Sequence, residues 1–187
     1  PSTGSPSMQV RTTSLAGVLV IEPRVFADAR GFFLETFHAT RYAEHGIPGN
    51  WVQDNLSRST RGTLRGLHYQ RHHPQGKLVY VTRGVVWDVA VDLRRSSPTF
   101  GRWYAEELSD ENHRQMYLPP GFAHGFCVLS ETADFAYKCT DVYRPDDERT
   151  LLWNDPAVGV EWPSLEPRIL SPKDQHGTPL AEADVYD

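Results

Sequence analysis

The densest run of reactive side chains is Arg65-Gly-Leu-His68-Tyr-Gln70 followed by Gln75-Gly-Lys77, which holds a base, two cations and several amides within thirteen residues. Imidazole ionises near pH 6.5, so His68 has the chemistry of a general base at working pH. Tyr137, in Phe135-Ala-Tyr137-Lys-Cys139, carries a phenol of ordinary pKa about 10 that can return a proton to a strong carbanion. Asp174, in Ser171-Pro-Lys173-Asp174, has the right chemistry to orient a histidine through its ring N–H. Each residue also has a structural reading. A lone histidine more often packs, a strand tyrosine more often tethers its hydroxyl, and a Lys-Asp pair in a tail is usually solvated. Strict strand alternation places Arg65 and His68 on opposite faces. Both turn inward only if Gly66 hosts a bulge.

A second cluster, Pro119-Pro-Gly121-Phe-Ala-His124, has the P-x-G-x-x-H spacing and resembles the second motif of the cupin superfamily, a double-stranded β-helix. In metal-binding cupins that histidine joins an H-x-H pair and a Glu. Here the first motif reads Gly66-Leu-His68-Tyr-Gln70, with Gln in place of the second histidine and no Glu at the expected distance. His72 and His73 fall in a turn before Pro74. A zinc or iron site is therefore the weaker reading, and no metal ligands are assigned. Cys127 and Cys139 sit inside strand-like runs and read as two buried free thiols, with a disulfide as the alternative.

The elements that must position these groups read as short strands punctuated by turns. Segments 18–21, 32–37, 64–70, 78–82, 85–93, 103–108, 114–118, 125–129 and 133–140 are rich in β-branched and aromatic residues, and 40–45 reads as a short helix ended by Gly46. Such spacing predicts an all-β sandwich or barrel. Along 85–93, Val85, Trp87, Val89, Val91 and Leu93 share one face, while Val86, Asp88, Ala90 and Asp92 share the other. Asp88 and Asp92 are either solvated turn-end residues, or Asp88 lies inside a polar barrel beside a basic partner. Beyond Tyr143 the texture becomes irregular and is expected to wrap the same domain. Residues 1–7 read as a tag remnant or disordered leader, and 8–187 as one domain. The net charge of −5 argues against a nucleic-acid surface, and no apolar run approaches the roughly 20 residues needed to cross a bilayer.

Taken together, the segments Val52-Gln53-Asp54-Asn55, Leu64 to Gln70, Gln75-Gly-Lys77, Asp88 to Arg94, Ser97-Pro-Thr-Phe-Gly101, Gly121 to Phe126 and Trp153-Asn-Asp155-Pro resemble the dTDP-4-dehydrorhamnose 3,5-epimerase family, in order and spacing, over about residues 15–174. The resemblance implies a cupin-type jelly roll with a few short helices. It also implies a cytoplasmic homodimer working without metal or coenzyme on a dTDP-sugar, dTDP-4-dehydro-6-deoxy-D-glucose. By matching motif, His68 is the base, Tyr137 the acid, Asp174 the carboxylate behind His68, and Asp88 a second acidic site. Lys77 and Arg65 face the ketone and the phosphates. Arg30 and Glu35 match nucleotide-side contacts, and Gln53, Asp54 and Asn55 the thymidine or sugar side. His124, Glu148 and Lys173 match further ligand contacts. Tyr143 matches an aromatic position that bears on whether one carbon or two are inverted.

The expected reaction follows from acidity. Protons at C3 and C5 both flank the C4 ketone, so one base and one opposite-face acid can serve each in turn. No G-x-G-x-x-G fingerprint marks a hydride-transfer cofactor. Three alternatives stay open: an epimerase acting at C3 or C5 alone or a ketoisomerase of the same fold, a non-catalytic nucleotide-sugar-binding cupin, and a metal-dependent cupin oxygenase.

Overall fold

A computed structural model describes residues 7–187 of the chain. Most of the leader expected at 1–7 therefore lies outside the described residues. Two antiparallel sheets face each other. The first is ordered β1 (Gln9–Thr12), β2 (Leu19–Glu22), β10 (Gln115–Leu118), β7 (Lys77–Arg83), β12 (Thr132–Cys139), β5 (Gln53–Thr60). The second is ordered β13 (Glu148–Thr150), β6 (Leu64–Gln70), β11 (Phe122–Val128), β8 (Val85–Asp92), β9 (Trp103–Ser109). A separate hairpin, β3 (Val25–Asp28) with β4 (Gly31–Leu34), precedes the helix α1 (Ala39–Ala43). This is the all-β sandwich expected from the turn spacing, in the jelly-roll form that the family resemblance implies.

The main core lies between the sheets, where Val79, Val86, Ala90, Met116, Phe126 and Phe135 are all buried. Burying each large side chain of this kind contributes about 1.5–3 kcal/mol. Both faces of β8 are covered. Val86 and Ala90 enter the core between the sheets, while Val89, Val91 and Leu93 pack beneath the tail against Leu151, Val158 and Val185. The irregular tail thus wraps the second sheet, as expected. It is pinned by parallel bridges Thr63↔Ile169, Leu151↔Thr178 and Arg94↔Tyr186, and by the Tyr69 hydroxyl donating to the Asp184 carbonyl at 2.8 Å. Within it, α2 (Pro172–Gln175) forms because the Ser171 side chain accepts from the Asp174 N–H and Pro172 occupies the first turn.

The expected helix appears one residue early, capped by the His38 side chain accepting from the Arg41 N–H. The expected strand over 32–37 is shorter, ending at Leu34, and pairs only with β3. Strand β5 gave no sequence signal, because QDNLSRST is polar except for Leu56, which is itself exposed. It is an edge strand with one face toward solvent and the other toward a polar cavity, so neither face needed apolar residues. Among the described residues no helix is long and apolar enough to cross a membrane.

Candidate active site

Between the sheets, toward one end, lies a cavity of about 280 Å³. One wall comes from the second sheet, with Arg65 and His68 on β6 and His124 on β11. The facing wall comes from the first sheet, with Gln53, Asn55 and Ser57 on β5, Lys77 on β7, and Tyr137 and Cys139 on β12. Phe126 and Phe135, stacked at 4.2 Å between centroids, bridge the walls and separate the cavity from the core.

Arg65 and His68 both face the cavity because β6 carries the extra residue that the sequence required. His124 is opposite His68, yet Phe126 is opposite Arg65, so three steps on β6 match two on β11. The bulge forms at Gly66, which adopts φ +129°. A Cβ there would lie 2.7 Å from Gly125 Cα and 2.8 Å from the His124 carbonyl. Any side chain at 66 must therefore push β6 away from β11. Gly66→Ala should lower stability by at least about 2 kcal/mol, read as a downward shift in Tm, and activity should fall with it because His68 moves.

His68 is backed by Asp174 as a hydrogen-bonded dyad. The His68 Nε2–H donates to Asp174 Oδ1 at 2.6 Å, and the other carboxylate oxygen accepts from the Gly66 N–H at 3.2 Å. Asp174 is buried, contrary to the solvated reading of the tail. Burial alone would raise its carboxyl, but the hydrogen bond and charge of His68 bring it below the ordinary value. The nitrogen that remains free is Nδ1, which lies 3.8 Å from Glu148 Oε1. Glu148 in turn accepts from the Tyr143 hydroxyl at 2.6 Å and from Lys173 at 3.1 Å. Burial opposes ionisation of Glu148, but these partners hold its pKa low, so negative charge sits beside the imidazole.

Across the cavity, Lys77 Nζ lies 5.7 Å from the Tyr137 ring centroid. Burial pulls the Lys77 ammonium below the usual lysine range, opposed by the nearby Cys139, Glu148 and Asp88 groups. Burial pushes the Tyr137 phenol upward, so it stays protonated at neutral pH. A base on one wall, with a protonated phenol and a cation on the other, can remove a proton from one face of a bound ring and return one to the opposite face.

Asp88 takes the sharper of its two readings. It is fully buried and accepts from His124 Nε2–H at 2.7 Å, while Asp92 is the turn-end residue, held by Arg94, Ser97 and Thr99. Burial raises the Asp88 carboxyl and lowers the His124 imidazolium, so both are displaced toward their neutral forms.

The dTDP-4-dehydrorhamnose 3,5-epimerase family model matches residues 12–182. The chain is 53% identical over 180 residues to the dTDP-4-dehydrorhamnose 3,5-epimerase of Pseudomonas aeruginosa, covering 96% of this chain and 99% of that protein. The protein of the same description from Methanothermobacter thermautotrophicus is 50% identical, covering 93% and 95%. The crystal structure of dTDP-6-deoxy-D-glucose-3,5-epimerase from Legionella pneumophila in complex with dTDP-4-keto-L-rhamnose superposes with a TM-score of 0.92 at 52% identity, covering 95% of each chain. The chain belongs to the dTDP-4-dehydrorhamnose 3,5-epimerase family.

Most positions matched to this epimerase family converge on the cavity: Arg65, His68, Lys77, His124, Tyr137, Tyr143 and Glu148, with Gln53 and Asn55. Lys173 and Asp174 line an adjoining groove that shares Arg65 and His68 with it. Three expected contacts are placed elsewhere. Asp54 lies off this cavity: alternation along β5 that turns Gln53 and Asn55 inward turns Asp54 outward, where it pairs with Lys138 at 3.0 Å. Arg30 and Glu35 also lie off the cavity of their own chain. Arg30 pairs with Asp28 at the hairpin tip, and Glu35 with Arg41. Five cavity residues were given no site role, Gln75 among them although it stands in the reactive run before Lys77. Ser57, Phe135 and Cys139 follow from period two once Asn55 and Tyr137 face inward, whereas Phe126 needed the bulge. Both cysteines are buried free thiols, as expected. Among the described residues no group of three or more His, Cys, Asp or Glu side chains is placed to hold a metal ion.

Proposed function

We propose that this chain converts dTDP-4-dehydro-6-deoxy-D-glucose to dTDP-4-dehydro-L-rhamnose, on the route to dTDP-L-rhamnose, by inverting C3 and C5 through proton transfer alone. The observation that carries the reading is the His68–Asp174 dyad on one cavity wall facing Tyr137 and Lys77 on the other. His68 Nδ1 takes the proton from C3, and the electron pair moves through the new C3–C4 double bond onto the C4 oxygen. Asp174 and Glu148 stabilise the imidazolium, and Lys77 stabilises the enolate oxygen. As the double bond collapses, Tyr137 delivers its proton to the other face of C3. His68 then loses its proton to solvent, Tyr137 regains one, and the cycle repeats at C5. Arg65, whose Nε donates to Ser59 Oγ at 2.9 Å, keeps its terminal nitrogens for the diphosphate, with Lys173 nearby.

In this reading residues 8–187 act as one catalytic domain, and the active species is a homodimer. The β3–β4 hairpin supports that assembly. It presents Phe26, Phe32 and Phe33, which are 47%, 62% and 65% exposed. It also carries Arg30, and Glu35 follows it directly, so a second copy's hairpin would supply the nucleotide contacts that the cavity lacks. Two free buried thiols suit a cytoplasmic setting.

Incubation with the keto-sugar in deuterated water tests the activity. Deuterium at both C3 and C5 of dTDP-4-dehydro-L-rhamnose is the expected result. Label at C3 alone would mark a narrower epimerase, and unchanged sugar after long incubation would mark a binding protein.

A further inference from the structure

Tyr143 stands at the cavity rim on the connection between β12 and β13, and it is 49% exposed. A side chain so exposed is held little by packing; its hydroxyl is tied to Glu148 at 2.6 Å, and the rest of its placement depends on its backbone. Three glutamines fix that backbone. Gln75 Nε2 donates to the Asp141 carbonyl at 2.9 Å. Gln70 Nε2 donates to the Val142 carbonyl at 3.3 Å. Gln53 Oε1 accepts from the Tyr143 N–H at 2.8 Å, and Gln70 Oε1 accepts from the Arg144 N–H at 2.7 Å. Four successive residues are thereby held by three carboxamides from β5, β6 and the turn before β7.

Gln70 is the centre of this arrangement. It is 2% exposed and does not line the cavity. Its second donor reaches the His73 carbonyl at 2.8 Å, so one side chain joins the 71–76 turn, which leads into Lys77, to the loop that carries Tyr143. Both N–H groups and the carbonyl oxygen of the amide are used. No charged residue and no hydrocarbon of this size could make the same three bonds.

Building on the function proposed above, we infer that Gln70 is a positioning residue that holds the Tyr143 loop against the cavity, and that this hold retains the singly inverted intermediate until the second centre has reacted. Two proton-transfer cycles at one site require the half-converted sugar to stay bound between them. Loosening the rim speeds its release while leaving His68, its partner Asp174 and Tyr137 in place.

Gln70→Met in the full chain keeps the volume and removes all three bonds. Expected are a rise of about tenfold in KM for the keto-sugar, as for loss of buried hydrogen bonds, and a several-fold larger share of released sugar inverted at one centre. The value of kcat should change far less than KM, because His68, Asp174 and Tyr137 are left in place. A folded variant with wild-type KM and wild-type product ratio would overturn the inference. Amide exchange on the unmodified protein gives a second reading that needs no variant. The Tyr143 and Arg144 amides should be protected despite lying in a rim loop, and free exchange of both would overturn the clamp. Failure of the proposed activity would show separately, as wild-type protein leaving the keto-sugar unchanged while these amides stay protected.

Discussion

His68→Ala should turn over the keto-sugar at least about a thousandfold more slowly than the wild type, within the range that a positioned general base contributes. In the proposed reading the loss should fall on kcat, because the diphosphate contacts are assigned to Arg65 and Lys173 and not to His68. No neighbour can take over. His124 is the other imidazole on the same wall, but its Nε2 is committed to Asp88 and burial depresses its proton affinity. Glu148, 3.8 Å from His68 Nδ1, is a carboxylate held below its ordinary pKa and is too weak a base. The fold should survive. His68 is one-quarter exposed to the cavity, and its removal leaves Asp174 with the Gly66 N–H as a remaining donor. Steady-state kinetics beside a thermal unfolding curve separates the two effects.

Tyr137→Phe should cost about 10² to 10⁴ in the rate of inversion by the same reasoning, but it should fail differently. The base, its carboxylate and Lys77 all remain, so the enolate still forms. What is lost is the proton donor on the opposite wall. The ring keeps its packing against Phe135, 5.8 Å between centroids, so stability should change little. With no acid opposite, the enolate is reprotonated by His68 from the side it left. The variant becomes a catalyst of exchange without inversion.

How much of this was visible in the sequence depends on the element. β8 was legible because its alternation is strict: the two apolar sets and the Asp88–Asp92 face all appear where period two puts them. β6 was legible only conditionally. Arg65 and His68 needed a bulge, Gly66 was the residue that could host it, and register with β11 supplies it. Asp174 was indistinguishable from a solvated tail residue. Its role depends on α2 being pinned beside β6, a contact across more than a hundred residues that local patterning cannot encode. Asp54 shows the opposite case. The motif match carried three consecutive residues to the site, and strand geometry turns only the first and third of them toward this cavity. The glutamine clamp was invisible for the same reason as Asp174: its carboxamides lie on three elements, and their partners are backbone N–H and carbonyl groups in a loop.

The central claim is that an imidazole and a phenol work on opposite faces of one bound ring, and the recovered substrate reports it directly. Both variants are incubated with the keto-sugar in deuterated water, and unconverted sugar is re-isolated. Substrate recovered from Tyr137→Phe should carry deuterium beside the ketone with configuration unchanged, and substrate from His68→Ala should carry none above the enzyme-free control. Deuterium entering with His68→Ala but not with Tyr137→Phe would reverse the assigned roles and contradict the account.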